Sequence, residues 1–296
     1  MKRAGCLFLA IAPVATLLVY LLGPDSDSGI PQGKPLPAHS SPSPSNPLAD
    51  ETESELEERI RKMPPGLAAK DKKELAQQLV ASAENSTLDW RTTYGYIEDP
   101  GDGNGYTGGI IGFTSGTHDM LKLVEQYTEE HPDNGLARFL PALRKVDGSD
   151  SLNGLEDLPE AWKAEAEKPE FRKAQDNLRD DDYFEPAVLQ AKMDGLSTLG
   201  QFLYYDAMVL HGPGIGPNGF YGIREKAMKQ ARTKAEGGKE QVFLNAFLDA
   251  RREVMLAEKR DTSRIDTAQR LFLRAGNMNL ATPLTWRVYG DPYRVR

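Results

Sequence analysis

The sequence predicts an α+β domain, mainly helical, with a small antiparallel sheet set against a larger helical lobe across a cleft. Three observations predict it. Apolar residues recur at helical spacing through most of the chain beyond residue 117. Only residues 92–113 show strand character, around a dense cluster of turn formers. The composition, 39% hydrophobic and 27% charged over 296 residues, is globular and sufficient for two lobes.

The N-terminus has the layout of an export segment: Lys2 and Arg3, an uncharged run from Cys6 to Leu22, then polar Pro24 to Gly29. No A-x-A site follows and the run approaches spanning length. A cleaved signal peptide and an uncleaved membrane anchor both fit residues 1–23. Residues 24–65 read as a linker. Its first part is rich in Pro, Ser and Gly and cannot bury a core. A charged stretch, Glu51 to Lys62, follows with Leu56, Ile60 and Met63 at helical spacing, stopped by Pro64 and Pro65. The folded domain is expected over 66–296.

From Asp71 to Glu84, Leu75, Leu79, Val80 and Ala83 mark one face of an amphipathic helix that Asn85 and Ser86 should end. Residues 92–98 and 106–113 read as strands, joined by Asp99-Pro-Gly-Asp-Gly-Asn-Gly105. The segments 117–130, 135–145, 159–166, 169–178, 186–210, 219–235, 239–259 and 263–275 read as helices. The stretch 186–210, apolar on more than one side, predicts a single central buried helix. Asp261 or Thr262 can cap the last one.

The formal charge of -8 argues against nucleic acid and suits a cationic partner. Cys6 is the single cysteine, so the folded part has no disulfide and no thiolate. His39, His118, His131 and His211 show no metal-ligand spacing. Gly103-Asn-Gly105-Tyr-Thr-Gly108 matches a dinucleotide fingerprint formally, but a strand follows where that fingerprint needs a helix. A calcium loop fails too, with Thr107 and Phe113 at the positions that require glycine and a carboxylate. No cofactor is called for. Paired carboxylates remain: Glu84 at a helix end and Asp102 in a glycine loop could face each other across a cleft, one as acid and one as base. Spacing alone does not single them out, because the chain carries 44 acidic residues.

The strings Ala81-Ser-Ala-Glu-Asn-Ser86, Leu88-Asp-Trp90, Tyr96-Ile-Glu-Asp99 and Gly101-Asp-Gly-Asn-Gly-Tyr-Thr-Gly-Gly-Ile-Ile-Gly-Phe113 resemble the chitosanases of glycoside hydrolase family 46. The resemblance continues, in order, through Phe139-Leu-Pro-Ala-Leu143, Leu199-Gly-Gln-Phe202, Tyr204-Tyr-Asp206, His211-Gly-Pro-Gly214, Phe247-Leu-Asp-Ala-Arg251, Asp261-Thr-Ser-Arg264 and Tyr289-Gly-Asp-Pro-Tyr293. It covers roughly residues 70 to 293.

The resemblance implies a lysozyme-like, two-lobed fold and inverting endo-hydrolysis of chitosan; nothing in the sequence demands a metal or more than a monomer. It puts the catalytic acid on Glu84, the base on Asp102 and the water-holding threonine on Thr107. It puts ammonium recognition on Asp119 and other groove positions on Ser86, Tyr96, Thr117 and His211. A charged network behind the acid falls on Asp206, Arg251 and Arg264. Carboxylates along a groove suit a polycationic polymer. For Asp119, stabilisation of a helix N-terminus is the competing reading. One departure lies beside the base: Asn104 stands where members of the family carry arginine. Two rivals stay open at this point, a lysozyme-like hydrolase of peptidoglycan and a catalytically silent glycan-binding protein.

Overall fold

The computed structural model describes residues 53–296. The expected export segment, the Pro/Ser-rich stretch and His39 therefore lie outside the described residues. The chain divides into two units after Met63. The first contains helix α1 (Glu53–Lys62), which ends two residues before Pro64 in the sequence. Among the described residues no helix is long and apolar enough to cross a membrane.

The second unit, Pro64–Arg296, opens with α2 (Lys70–Glu84), which buries Leu75, Leu79, Val80 and Ala83. Strands β1 (Ile97–Glu98), β2 (Thr107–Gly108) and β3 (Phe113–Thr114) form one antiparallel sheet in that order. Glu98 is opposite Thr107, and Thr107 opposite Thr114. The strands are shorter than expected. Trp90–Thr93 is a 3-10 turn, and Gly109 and Gly112, both at φ +78°, fold the chain between β2 and β3.

Helices α3 (Asp119–Glu130), α4 (Leu140–Val146), α5 (Leu158–Ala166) and α6 (Pro169–Arg179) complete the smaller lobe around this sheet. Buried Trp162 fixes α5 there. Its indole N–H donates to the Tyr94 carbonyl at 2.9 Å, and its ring meets Phe171 edge-on at 4.9 Å.

A π-helical turn, Asp180–Phe184, leads into α7 (Glu185–Met193), and α8 (Thr198–His211) follows as the buried centre of the larger lobe. The single helix expected over 186–210 is thus two. Gly195 at φ +73° breaks it, and Ala235 N–H donates to the Asp194 carbonyl at 3.1 Å. The apolar period runs through the break because both helices face one core. Tyr204 of α8 sits 4.9 Å from both Phe220 and Phe247, on α9 (Phe220–Met228) and α10 (Glu240–Ala257).

A second π-helical turn, Arg264–Gln269, precedes α11 (Arg270–Arg274). The chain then ends in a hairpin where the sequence reading expected none: β4 (Leu284–Val288) and β5 (Asp291–Val295). Leu284, Trp286 and Val288 are buried and the residues between them exposed, a period of two. Tyr289 and Gly290, both at positive φ, make its two-residue turn.

The loop 212–219 folds back onto the start of α9 so closely that a β-carbon at Gly222 would strike the Gly216 carbonyl oxygen. Gly222→Ala should therefore cost about 1–3 kcal/mol, the usual penalty of overpacking. Urea unfolding would show it as a lower midpoint. An unchanged midpoint would contradict that close approach.

Candidate active site

A groove of about 700 Å³ opens at the end of α2. Glu84 lines it from the last position of α2 and Ser86 from the turn that follows, Thr93 and Tyr96 from the approach to the sheet, Glu98 from β1, and Lys163 and Glu167 from α5 and the residue just after it. Glu84 is the last residue of α2. Immediately after it the amides of Asn85 and Thr87 both donate to the Ala81 carbonyl, and Ser86 takes φ +52°. The chain thus turns sharply and presents both side chains to the groove.

Behind Glu84 lies a buried charge network. Arg264 donates to Glu84 Oε1 at 2.7 Å and to Asp206 Oδ1 at 2.8 Å. Arg251 donates to Asp206 Oδ2 at 2.9 Å and to Gln269 Oε1 at 2.8 Å, and the Gln269 amide donates to Asp206 Oδ2 at 2.5 Å. Arg251 and Arg264 thus share the fully buried Asp206, and Arg264 reaches on to Glu84. The π-helical turn makes this possible. Arg264 and Gln269 are five residues apart, which a π turn places on one face and an α-helix would splay by roughly 140°. Burial alone would push Asp206 up, but the two guanidinium groups prevail and hold it at about 2.

His211, at the end of α8, stands near the same cations. Desolvation, with the fields of Arg251, Arg264 and Arg260, drives its imidazole down to about 2, so it is neutral at working pH. Its Nε2 is buried without a protein partner.

Asp102 is exposed on the loop joining β1 to β2, where its Oδ1 accepts the Asn104 amide at 3.1 Å. It is not among the groove-lining residues, nor is Thr107, although Thr107 is paired with groove-lining Glu98. Asn104 is also bound through its carbonyl, which accepts the Gly116 amide at 2.9 Å. Thr117 and Asp119 meet in the turn leading to α3. Asp119 Oδ1 accepts from the Thr114 amide, the Thr117 hydroxyl and the Met120 amide at 2.9–3.0 Å. Its Oδ2 accepts from the Tyr183 hydroxyl at 3.1 Å. Desolvation outweighs these bonds and raises Asp119 to about 6.

The structure adds residues that sequence reading passed over. Glu98 accepts a hydrogen bond from the Tyr96 hydroxyl inside the groove. Gln269 completes the network, a contact no linear spacing announces. Tyr289, 54% exposed in the hairpin turn, donates its hydroxyl to the Ala83 carbonyl, one residue before Glu84, at 3.0 Å. A tyrosine at positive φ in such a turn is uncommon, and the run Tyr289-Gly-Asp-Pro292 was the turn signal in the sequence. Among the described residues no group of three or more His, Cys, Asp or Glu is placed to hold a metal ion.

A helical α+β domain of lysozyme-like class, with carboxylates lining a polar groove, is the architecture of a glycoside hydrolase. The description "Glycosyl hydrolase family 46" matches residues 78–284, and the chain belongs to that family. It is 59% identical over 231 residues to a chitosanase from a Streptomyces species, covering 77% of this chain and 83% of that protein. A Bacillus subtilis chitosanase is 37% identical over 227 residues, 73% of this chain and 81% of its own. Among solved structures, a chitosanase complex superposes with a TM-score of 0.77 at 52% identity, covering 79% of this chain and all of that one. The Gynuella sunshinyii family 46 chitosanase bound to chitotetraose gives 0.72 at 33%, covering 76% and 97%.

Asp206→Asn leaves Arg251 and Arg264 buried with no carboxylate between them, and should cost about 3–5 kcal/mol near neutral pH. The pH dependence has a worked sign. The depressed Asp206 stabilises above the unfolded carboxylate pKa, and that contribution, about 2 kcal/mol, is lost as pH falls from about 4 to about 2. His211, also depressed, loses its contribution from about pH 6.5 downward, where the unfolded imidazole takes up a proton. The raised Asp119 acts oppositely and gains stability as pH falls from about 6 to 4. The wild type should therefore change little between pH 6 and 4 and weaken steeply below 4, and Asp206→Asn should flatten that fall. Urea titrations across pH check this; an equally steep fall in the variant would contradict it.

Proposed function

We propose that this chain is an endo-acting chitosanase that hydrolyses the β-1,4 bonds between glucosamine units with inversion at the anomeric carbon. The observation that carries the reading is Glu84. It stands at the groove with one carboxyl oxygen held by Arg264, so the other is free to meet a glycosidic oxygen.

In this reaction a water molecule attacks the anomeric carbon and gives its proton to Asp102. The bond to the leaving sugar breaks, and Glu84 passes its proton to the departing oxygen. Inversion needs the two carboxyls far enough apart to admit that water, a role suited to groups carried on different elements, the end of α2 and the sheet loop. Thr107, on the strand facing Glu98, is the proposed holder of the water. Asp206, Arg251 and Arg264 act through Glu84 by fixing its orientation.

The substrate follows from charge. Glu84, Glu98 and Glu167 line the groove, and a polymer of glucosamine brings one ammonium per sugar. Ser86, Tyr96, Thr117 and His211 are the proposed sugar contacts, His211 as a neutral hydrogen-bonding group. Asp119 is the proposed ammonium partner. Its bonds to Met120 and Thr114 also serve the start of α3, so the recognition and helix-terminus roles coexist. Solved relatives bound to substrate support a sugar in this groove. Export of the enzyme, by a cleaved signal or as a tethered form, rests on Lys2, Arg3 and the run Cys6 to Leu22 alone. A monomer suffices for every role assigned.

Highly deacetylated chitosan should lose viscosity quickly and gain reducing ends with the full chain. Glu84→Gln and Asp102→Asn should each reduce the rate by about 10²–10⁴ while remaining folded. Proton NMR of the first products should show the α-anomer. Substantial hydrolysis by Glu84→Gln would remove it as the acid, and a β-anomer would exclude inversion.

A further inference from the structure

We infer that Lys163 selects the acetylation state of the sugar that binds beside it, favouring a neutral N-acetyl group over an ammonium. The inference rests on the chitosanase reading of the groove. Every other ionisable carboxyl or amine along the groove is acidic: Glu84, Glu98 and Glu167. Lys163 alone brings a positive charge to a site whose substrate is itself a polycation.

Among the described residues that charge has no direct ion-pair partner. Glu167, one helical turn further on, faces Arg172 at 3.5 Å, and Glu165 takes Lys168 at 2.7 Å. No carboxylate among the described residues pairs with Lys163 within 4.0 Å. Nor can its helix swing away. Trp162, the preceding residue, is fully buried and bonded to the Tyr94 carbonyl, and Ala166 on the next turn packs against Gly95 of the groove wall. The backbone that carries Lys163 is therefore held beside the groove, and its exposed side chain lines it.

Chitosan varies along its length only at the C2 nitrogen, an ammonium in one unit and a neutral amide in another. An unpaired lysine repels the first. It can donate a hydrogen bond to the carbonyl oxygen of the second. One side chain thus supplies a repulsive and an attractive element together, which is how discrimination between near-identical ligands is usually built. The carboxylates elsewhere in the groove keep their preference for ammonium, so the effect is confined to one position of the bound chain.

The test compares the wild type, Lys163→Gln and Lys163→Glu on fully deacetylated and partially acetylated chitosan, with the ends of the products sequenced by mass spectrometry. The ratio of kcat/KM on deacetylated to acetylated polymer should rise about five- to ten-fold in Lys163→Glu, less in Lys163→Gln. Acetylated units should become rarer at one fixed distance from the new ends, and the difference between variants should shrink at high salt. Variants that cleave with the wild-type ratio and wild-type ends would overturn the inference alone. A folded wild type that cleaves neither polymer would overturn the chitosanase reading and this inference with it.

Discussion

Asp206 is fully buried between two guanidinium groups and an amide, and through Arg264 it reaches Glu84, which lines the groove. Such a group is costly to desolvate, and each partner lost destabilises it further. Completing it constrains much of the larger lobe. Helix α8 must bring Asp206, α10 must bring Arg251, and the turn 264–269 must take the wider π form to bring Arg264 and Gln269 to one face. Helix α2 must then stop where it does, so that Glu84 meets Arg264 and not solvent. Secondary structure, break points and site geometry are therefore consequences of one buried arrangement.

The two proposed catalytic carboxylates live in opposite physical settings. Glu84 is bonded to a buried arginine on a helix whose flank is core. Asp102 is exposed, on a loop of glycines, with a single backbone amide for a partner. A proton donor benefits from fixed aim, because its orbital alignment with the leaving oxygen sets the rate. A base that must admit a water and a polymer benefits from an open approach. The loop is not loose at its base: Asn104 is tied to Gly116 and the Tyr106 amide donates to Ser115 Oγ at 3.0 Å. With asparagine at 104, backbone hydrogen bonds hold this loop, and among the described residues no cation pairs with Asp102 within 4.0 Å.

Much of this was readable in the chain before its structure. The helix ending at Glu84 follows from the spacing of Leu75, Leu79, Val80 and Ala83, and the turn-rich strand region from its glycines. The break in 186–210 was also written there, as Asp194-Gly195, but the unbroken apolar pattern on either side concealed it. The terminal hairpin shows period-two burial and a Tyr-Gly turn, overshadowed by eleven helices elsewhere among the described residues. What no local pattern could reveal is long-range. Gln269 has the look of an ordinary helical glutamine, and Asp119 that of an ordinary helix-start carboxylate. Their environments depend on Asp206 and Tyr183, each more than 60 residues away.

Replacing Arg264 by Gln isolates the link on which the site depends. Asp206 keeps Arg251 and Gln269, so the lobe should remain folded, while Glu84 loses the group that aims it. The kcat on a defined glucosamine oligomer, measured together with KM and with thermal unfolding, should fall by about 10² with KM little changed, as expected when the lost contact orients the acid and does not itself bind the substrate. A folded Arg264→Gln enzyme with wild-type kcat would contradict the view that the buried network positions Glu84.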